Sequence, residues 1–182
     1  YACKDKRLDE IQILVQGLGN VGQPLVKELS GVTDHVFYAD RVNPPGWDEN
    51  KFVPVKDVYD FKADVLSPCV SAAGLITEDV IDHLKVSIIA GSSNLQFADD
   101  KALWAAHNKG ILHAPDPVIN GGGIIAVTQD TPEKVQAKLD LIPKTLVEIF
   151  ERSKAANKPP LIIAEEIATE ILTAAEIKQK KP

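Results

Sequence analysis

The stretch of residues 11–22, IQILVQGLGNVG, constrains the fold of this chain more than any other. It begins as an apolar, β-prone run and then breaks into GLGNVG at residues 17–22. An apolar run bounded by glycine predicts a buried parallel strand, and Val21, Leu25 and Leu29 follow it at helical spacing. A strand, a glycine turn and a helix in this order form the context in which GxGxxG indicates a dinucleotide-binding site.

Each glycine of this stretch has a physical reason to be there. Gly17 permits the tight turn, Gly19 lets the backbone approach a pyrophosphate, and Gly22 lets the helix pack against the strand. The N-terminus of the helix then offers free N–H groups and a positive dipole end to the phosphates. The alternative interpretation is an ordinary strand-to-helix turn with incidental glycines.

An acidic residue follows the glycines at an informative distance. A second apolar strand at residues 35–39 ends at Asp40, near the spacing of about 20 residues at which a carboxylate binds the adenosine ribose. A carboxylate there disfavours the 2′-phosphate of NADP, whereas Arg41 would partly offset that discrimination. We therefore expect NAD rather than NADP. The alternative leaves Asp40 as a solvated residue at a strand end.

Four further strand candidates bring the total to six, and crossover segments separate them. The crossover at residues 42–51 is rich in proline and glycine, so no full helix is expected there. The pattern predicts an α/β fold, a Rossmann-like doubly wound parallel sheet with C-terminal helices, and ligands at the carboxyl ends of the strands. The remaining strands are expected at residues 52–55, 63–66, 86–90 and 111–114, with helices at 76–84 and 99–108.

The chain divides by pattern into three parts. Residues 1–10 form a polar lead-in, residues 11–130 the Rossmann dinucleotide-binding core, and residues 131–182 the C-terminal helices. Apolar residues repeat at helical spacing through this tail, although Pro143 is expected to bend or break the first run. Apolar stripes on these helices predict packing against another domain or subunit, and hence association.

Composition excludes several classes of protein. The formal net charge of −6 argues against a nucleic-acid surface, and no apolar run approaches the length of a membrane span. Cys3 and Cys69 are too few for a disulfide framework, so a reducing compartment, cytoplasm or organellar matrix, is expected. The four histidines, each interpreted as a surface or strand-end residue, show no metal-ligand spacing. The chain begins with Tyr1 and contains no methionine, so we expect an N-terminus that has been processed, trimmed or left out.

Five ordered blocks of sequence carry a resemblance to a known family. They read VQGLGNVG, YAD, ADVLSPCVSAAGLI, IIAGSSN and LHAPDPVINGGGII. Together they resemble the C-terminal, cofactor-binding domain of the glutamate/leucine/phenylalanine/valine dehydrogenases, closest to the leucine dehydrogenase branch. The resemblance implies an NAD-binding domain of an enzyme that oxidatively deaminates an L-amino acid to a 2-oxo acid.

The resemblance also implies a role for individual residues. The glycine turn would hold the pyrophosphate and Asp40 the adenosine ribose, while Asn94 would lie at the nicotinamide ribose. By the same resemblance Asn120 would lie where cofactor meets substrate, and its carboxamide would serve there as a neutral group that donates and accepts hydrogen bonds. Leu95 departs from the family, which often has a polar residue there. The full set of expected cofactor-binding residues is Gly17, Gly19, Asn20, Val21, Gly22, Asp40, Arg41, Pro68, Cys69, Val70, Asn94 and Asn120.

No catalytic residue is predicted in this chain. The family's general-base lysine and its aspartate partner belong to a separate substrate domain, and only sixteen residues precede Gly17. We therefore expect no turnover by the chain alone, and binding of an L-amino acid only with a second domain or subunit. Cys69 is interpreted as a small packed residue, and Asp116 either orients the loop at Asn120 or forms a turn. A non-catalytic Rossmann module in a larger assembly, and a complete small reductase, are the alternatives.

Overall fold

A computed structural model describes residues 5–179, so Cys3 lies outside the described part. Five parallel strands form one sheet in the order β2-β1-β3-β4-β5, and β1 therefore pairs with β2 on one side and with β3 on the other. This reversal of strand order opens a crevice at the carboxyl end of β1. The predicted Rossmann-like sheet is confirmed. The strands are β1 (Ile13–Gln16), β2 (Val36–Ala39), β3 (Val65–Pro68), β4 (Ile88–Ile89) and β5 (Leu112–His113).

The chain divides into two compact units, of which the first contains the sheet and ends at Asn120. Two of its helices begin where a side chain caps them, as Thr77 accepts from Val80 N–H and Asp99 from Ala102 N–H. Gly110, with a φ of +82°, ends the second of these helices. The helices of this unit are α1 (Gly22–Ser30), α2 (Glu78–His83), α3 (Asp100–Asn108) and α4 (Asp116–Ile119).

Strand β1 is buried on both faces because its residues alternate between two hydrophobic clusters. Ile13 and Val15 belong to the cluster with Val26 of α1. Leu14 belongs to the cluster on the opposite face, which includes Ile81 of α2. Strand β1 therefore lies in the interior, and its exit at Gly17 is fixed from both sides.

The strand predicted at residues 52–55 is wrong, and the sheet has five strands rather than six. Phe52 makes only an isolated parallel bridge with Tyr38, and Val53 N–H donates to the Tyr38 carbonyl at 2.8 Å. The next N–H on the same side of the chain is that of Val55, which already begins a 3-10 helix, so pairing with β2 stops there. Two short 3-10 helices, Glu49–Lys51 and Val55–Asp57, lie on either side of this bridge instead.

The segment expected as a loop around Asn120 is also different, because helices lie on both sides of that residue. Asn120 follows α4, and its N–H donates to the Asp116 carbonyl at 3.0 Å. The three glycines then begin a helix, because Gly121 has an ordinary helical backbone with a φ of −62° and accepts from Ile125 N–H. Glycine is a poor helix former, but it is tolerated at a helix start, which is where these glycines lie.

The second unit is helical. Pro143 lies in the first turn of its third helix, so the expected break in the run occurs just before that residue. A turn at Asn157, whose φ is +52°, joins the last two helices. An Arg152–Glu170 ion pair bridges these helices, and Lys158 of the turn pairs with Glu166 of the last helix. Across residues 5–179, no helix has both the length and the apolar character needed to cross a bilayer. The helices are α5 (Gly122–Thr128), α6 (Pro132–Leu139), α7 (Ile142–Ala156) and α8 (Pro160–Gln179).

Candidate dinucleotide site

Two of the three glycines in the turn after β1 are packed tightly, and the third is open. Gly17 has a φ of +99°, and a Cβ there would lie 2.5 Å from Val70 Cγ1. A Cβ on Gly22 would lie 1.8 Å from the carbonyl oxygen of Gly17, so helix α1 approaches the strand end only because residue 22 is glycine. A Cβ on Gly19 would meet no atom within 4 Å. The turn therefore forms a corner that the protein's own side chains leave open.

The carboxylate of Asp40 faces this corner. Its Oδ2 accepts a hydrogen bond from Leu18 N–H at 2.6 Å, and its Oδ1 accepts from Arg41 N–H at 2.6 Å. The strand β2 delivers the carboxylate to this position because Gly17 N–H donates to the Ala39 carbonyl, which aligns the two strand ends. Asp40 is half-buried, and Arg41 beside it is exposed. A negative charge thus lies at the edge of the open corner.

Two cavities meet at Gly19, which lines both of them. They share a wall made by residues 69–72, which follow β3. The first cavity has a volume of about 460 Å³ and includes Gly17, Gly19, Asp40, Arg41, Cys69 and Val70. The second has a volume of about 510 Å³ and includes Gly19, Asn20, Val21, Cys69, Val70 and Asn94.

The shared wall is held by hydrogen bonds to the neighbouring strand exit. Ser93 Oγ donates to the Val70 carbonyl at 2.8 Å and accepts from Val70 N–H at 2.9 Å. Cys69 N–H donates to the Gln16 carbonyl at 2.7 Å, which ties the wall to β1. Pro68 is fully buried and does not line either cavity; a Cβ on Gly91 would lie within 2.6 Å of three Pro68 atoms. Pro68 therefore supports the wall from behind.

Two amide side chains come together on the side of the second cavity. Asn120 Nδ2 donates to Asn94 Oδ1 at 2.5 Å, and it also approaches the Ser92 carbonyl at 3.5 Å. The sequence places these asparagines far apart, and parallel strand exits bring them into contact. The Nδ2 group of Asn94 and the Oδ1 atom of Asn120 therefore remain available to donate to and accept from a ligand.

L-tryptophan dehydrogenase from Nostoc punctiforme is 35% identical over 162 residues, which are 83% of this chain and 45% of that enzyme. Its crystal structure matches 94% of this chain and 54% of that chain with a TM-score of 0.84. Leucine dehydrogenase from Thermoactinomyces intermedius is 30% identical over 179 residues, 93% of this chain and 48% of the enzyme. The chain belongs to the amino-acid dehydrogenase family.

It corresponds to the cofactor-binding domain of that family and spans about half the length of the curated relatives it matches. The family implies a nicotinamide cofactor. A glutamate dehydrogenase from Thermus thermophilus, 19% identical with a TM-score of 0.70, shares the fold. No protein-family model matches the chain.

Motif reasoning missed one buried residue that shapes this dehydrogenase domain's site. Gln96 is 1% exposed, and its Nε2 donates to the carbonyls of Gly91 at 2.8 Å and Ser93 at 3.0 Å. These bonds fold the exit of β4 back on itself and so place Ser93 against the wall. The only signal in the sequence is a polar residue close to a run of small ones at a strand end.

His113 ends β5 of this dehydrogenase domain, in agreement with the expectation of a surface or strand-end histidine. It is nonetheless buried, at 1% exposed, and its ring packs edge-on against Phe97 with 4.8 Å between centroids. Neither ring nitrogen has a hydrogen-bond partner among residues 5–179. Burial lowers the pKa of His113 to about 3, so the ring is neutral at physiological pH.

Proposed function

We propose that this chain binds NAD at the open corner after β1, as the cofactor domain of an enzyme that oxidatively deaminates an L-amino acid to a 2-oxo acid. The observation that carries the proposal is the combination of an unobstructed Gly19 with the Asp40 carboxylate turned towards it. A bound NAD supplies the hydride acceptor. The residues of this chain bind and orient it.

The glycine corner fits a pyrophosphate. Gly19 leaves room where a side chain would stand, and the N-terminus of α1 begins directly afterwards at Gly22. The backbone N–H groups at this helix end, including those of Asn20 and Val21, favour negative charge through both hydrogen bonds and the helix dipole. Because Gly17 and Gly22 have no Cβ, the end of α1 can pack directly against the end of β1.

The first cavity suits the adenosine half of the cofactor. Asp40 lies at its edge for the ribose hydroxyls, and Val55 and Leu75 add apolar surface for the base. The second cavity suits the nicotinamide half, with Cys69 and Val70 on its wall. Asn94 at its rim and Asn120, bonded to Asn94, would hold the nicotinamide ribose and meet the substrate.

We expect NAD to be preferred over NADP because a 2′-phosphate would lie against the carboxylate of Asp40. Arg41 lines the same cavity and moderates this repulsion. Replacing Asp40 with alanine removes both the ribose acceptor and the repulsion. We predict about tenfold weaker NADH binding and unchanged or tighter NADPH binding, measured by cofactor fluorescence titration.

Asp40→Asn is the matched variant, because it keeps an acceptor for Leu18 N–H while removing the charge. If repulsion sets the preference, both variants gain on NADPH relative to NADH. If neither cofactor binds the unaltered chain, the runner-up function, a non-catalytic Rossmann module in an assembly, replaces the proposal. Binding of NADH without turnover of leucine, phenylalanine, valine or glutamate supports a cofactor domain that requires a second domain or subunit.

The proposed enzyme also associates through its second unit. Ile171, Leu172 and Ile177 of α8 are each more than half exposed, which leaves apolar surface in water. We predict that sedimentation velocity finds a dimer or larger species, and that the double change Ile171→Glu with Leu172→Glu shifts it towards monomer. The change Lys154→Glu on α7, at an exposed polar position, is the control. A monomeric unaltered chain would contradict the prediction.

A further inference from the structure

Asp116 is a buried carboxylate with a specific backbone partner on another loop. It is the first residue of α4 and only 5% exposed, and its Oδ2 accepts from Leu95 N–H at 2.9 Å. A carboxylate removed from water must be compensated by such a hydrogen bond. The bond joins the exit of β5 to the exit of β4.

The partner of that carboxylate has a strained backbone. Leu95 has a φ of +49°, one of two non-glycine residues with a positive φ among residues 5–179. Its side chain is 70% exposed, so packing does not hold it in this conformation. Hydrogen bonds do so on both sides, since Leu95 N–H donates to Asp116 and its carbonyl accepts from Gly74 N–H at 2.7 Å.

These contacts close a ring around the amide pair. Leu95 follows Asn94, Asn94 Oδ1 accepts from Asn120 Nδ2, and Asn120 N–H donates to the Asp116 carbonyl. Asp116 therefore holds both members of the amide pair. Its carboxylate fixes Leu95, the residue next to Asn94, and its backbone carbonyl fixes Asn120. We infer that Asp116 is a positioning residue that fixes the Asn94–Asn120 pair for the nicotinamide half of the cofactor. This inference rests on the proposed function.

The role is confined to one half of the site. None of the described hydrogen bonds joins Asp116 to the glycine corner or to Asp40, and neither cavity includes it. Loss of its carboxylate frees Leu95 to leave the left-handed conformation and lets Asn94 move. The adenosine and pyrophosphate contacts stay as they are. ADP contains the adenosine and pyrophosphate groups but no nicotinamide ribose, so its affinity reports on the other half of the site alone.

The experiment measures the dissociation constants of NADH and ADP by isothermal titration with the full chain. We expect Asp116→Ala to weaken NADH binding about tenfold and to change ADP binding less than twofold. Asp116→Asn keeps an oxygen that accepts from Leu95 N–H, so it should remain within about threefold of the unaltered chain. Asp100→Ala, at the exposed first residue of α3, is the matched control and should change neither constant.

The outcomes separate the inference from the proposed function. If Asp116→Ala loses affinity for NADH and ADP equally, or loses none, the positioning role is overturned. The proposed function, NAD binding by the unaltered chain, is not affected by either result. An unaltered chain that binds neither compound overturns the proposed function, and the positioning role with it. If Asp116→Ala does not fold, Asp116→Glu gives the same test. Its carboxylate is displaced by one methylene from Leu95 N–H, and the same selective loss of NADH is expected.

Discussion

We expect Gly19→Ala to abolish most of the affinity for NADH while leaving the fold as stable as before. A Cβ at this position meets no protein atom within 4 Å, and the backbone has no positive φ, so alanine is accommodated. The same methyl group occupies the space through which a pyrophosphate would approach the backbone. A loss of about 2 kcal/mol in binding, roughly 30-fold in the dissociation constant, is expected from fluorescence titration.

The same substitution at Gly22 is expected to have a different effect. In Gly22→Ala the new Cβ would lie 1.8 Å from the Gly17 carbonyl oxygen, so α1 must move and both stability and affinity fall. Gly31→Ala, at the far end of α1, is the control: its Cβ would lie 3.3 Å from the Glu28 carbonyl oxygen, so we expect at most a small loss of stability and unchanged affinity for NADH. Thermal unfolding beside the titration separates these cases. Unchanged NADH affinity in Gly19→Ala would show that the corner does not hold the pyrophosphate.

Local signals in the sequence predicted the parts of the fold that depend on neighbours along the chain. The glycine turn and the break at Pro143 each follow from a residue whose backbone acts within one turn. The prediction of a strand at residues 52–55 was wrong because the chain turns into a 3-10 helix at Val55, the residue whose N–H would continue the pairing with β2. The helices around Asn120 were missed because a run of glycines is compatible with either a loop or a helix.

The site divides in the same way. The glycine corner and Asp40 could be predicted because their spacing is fixed by one strand, one turn and the next strand. Ser93 and Asp116 bond backbone groups of other strand exits, 23 and 21 residues away, and Gln96 holds Ser93 in place from the exit of the same strand. Nothing local marks such a contact, since it exists only after the parallel strands align. Pro68 is the opposite case. Its position next to Cys69 and Val70 in the sequence suggested a contact with the cofactor, but the structure buries it behind the wall, where it lines neither cavity.

The second large effect concerns acid stability and His113. Its pKa is lowered by burial to about 3 in the folded chain and lies near 6.5 when unfolded. Above pH 6.5 the ring is neutral in both states and makes no difference. Below it the unfolded chain binds a proton that the folded chain does not, so the free energy of unfolding falls by about 1.4 kcal/mol per pH unit until about pH 3.

Urea unfolding at pH 7 and pH 5 measures this contribution. We expect the unaltered chain to lose about 2 kcal/mol from His113 between these values, and His113→Phe to be spared that loss. Because each chain is compared with itself, any repacking beside Phe97 cancels. His35→Phe, at an exposed position, is the control and should keep the full loss, since His113 remains. An identical loss in His113→Phe and the unaltered chain would mean that the buried ring finds a way to accept a proton, which the apolar contact with Phe97 and its unpartnered nitrogens argue against.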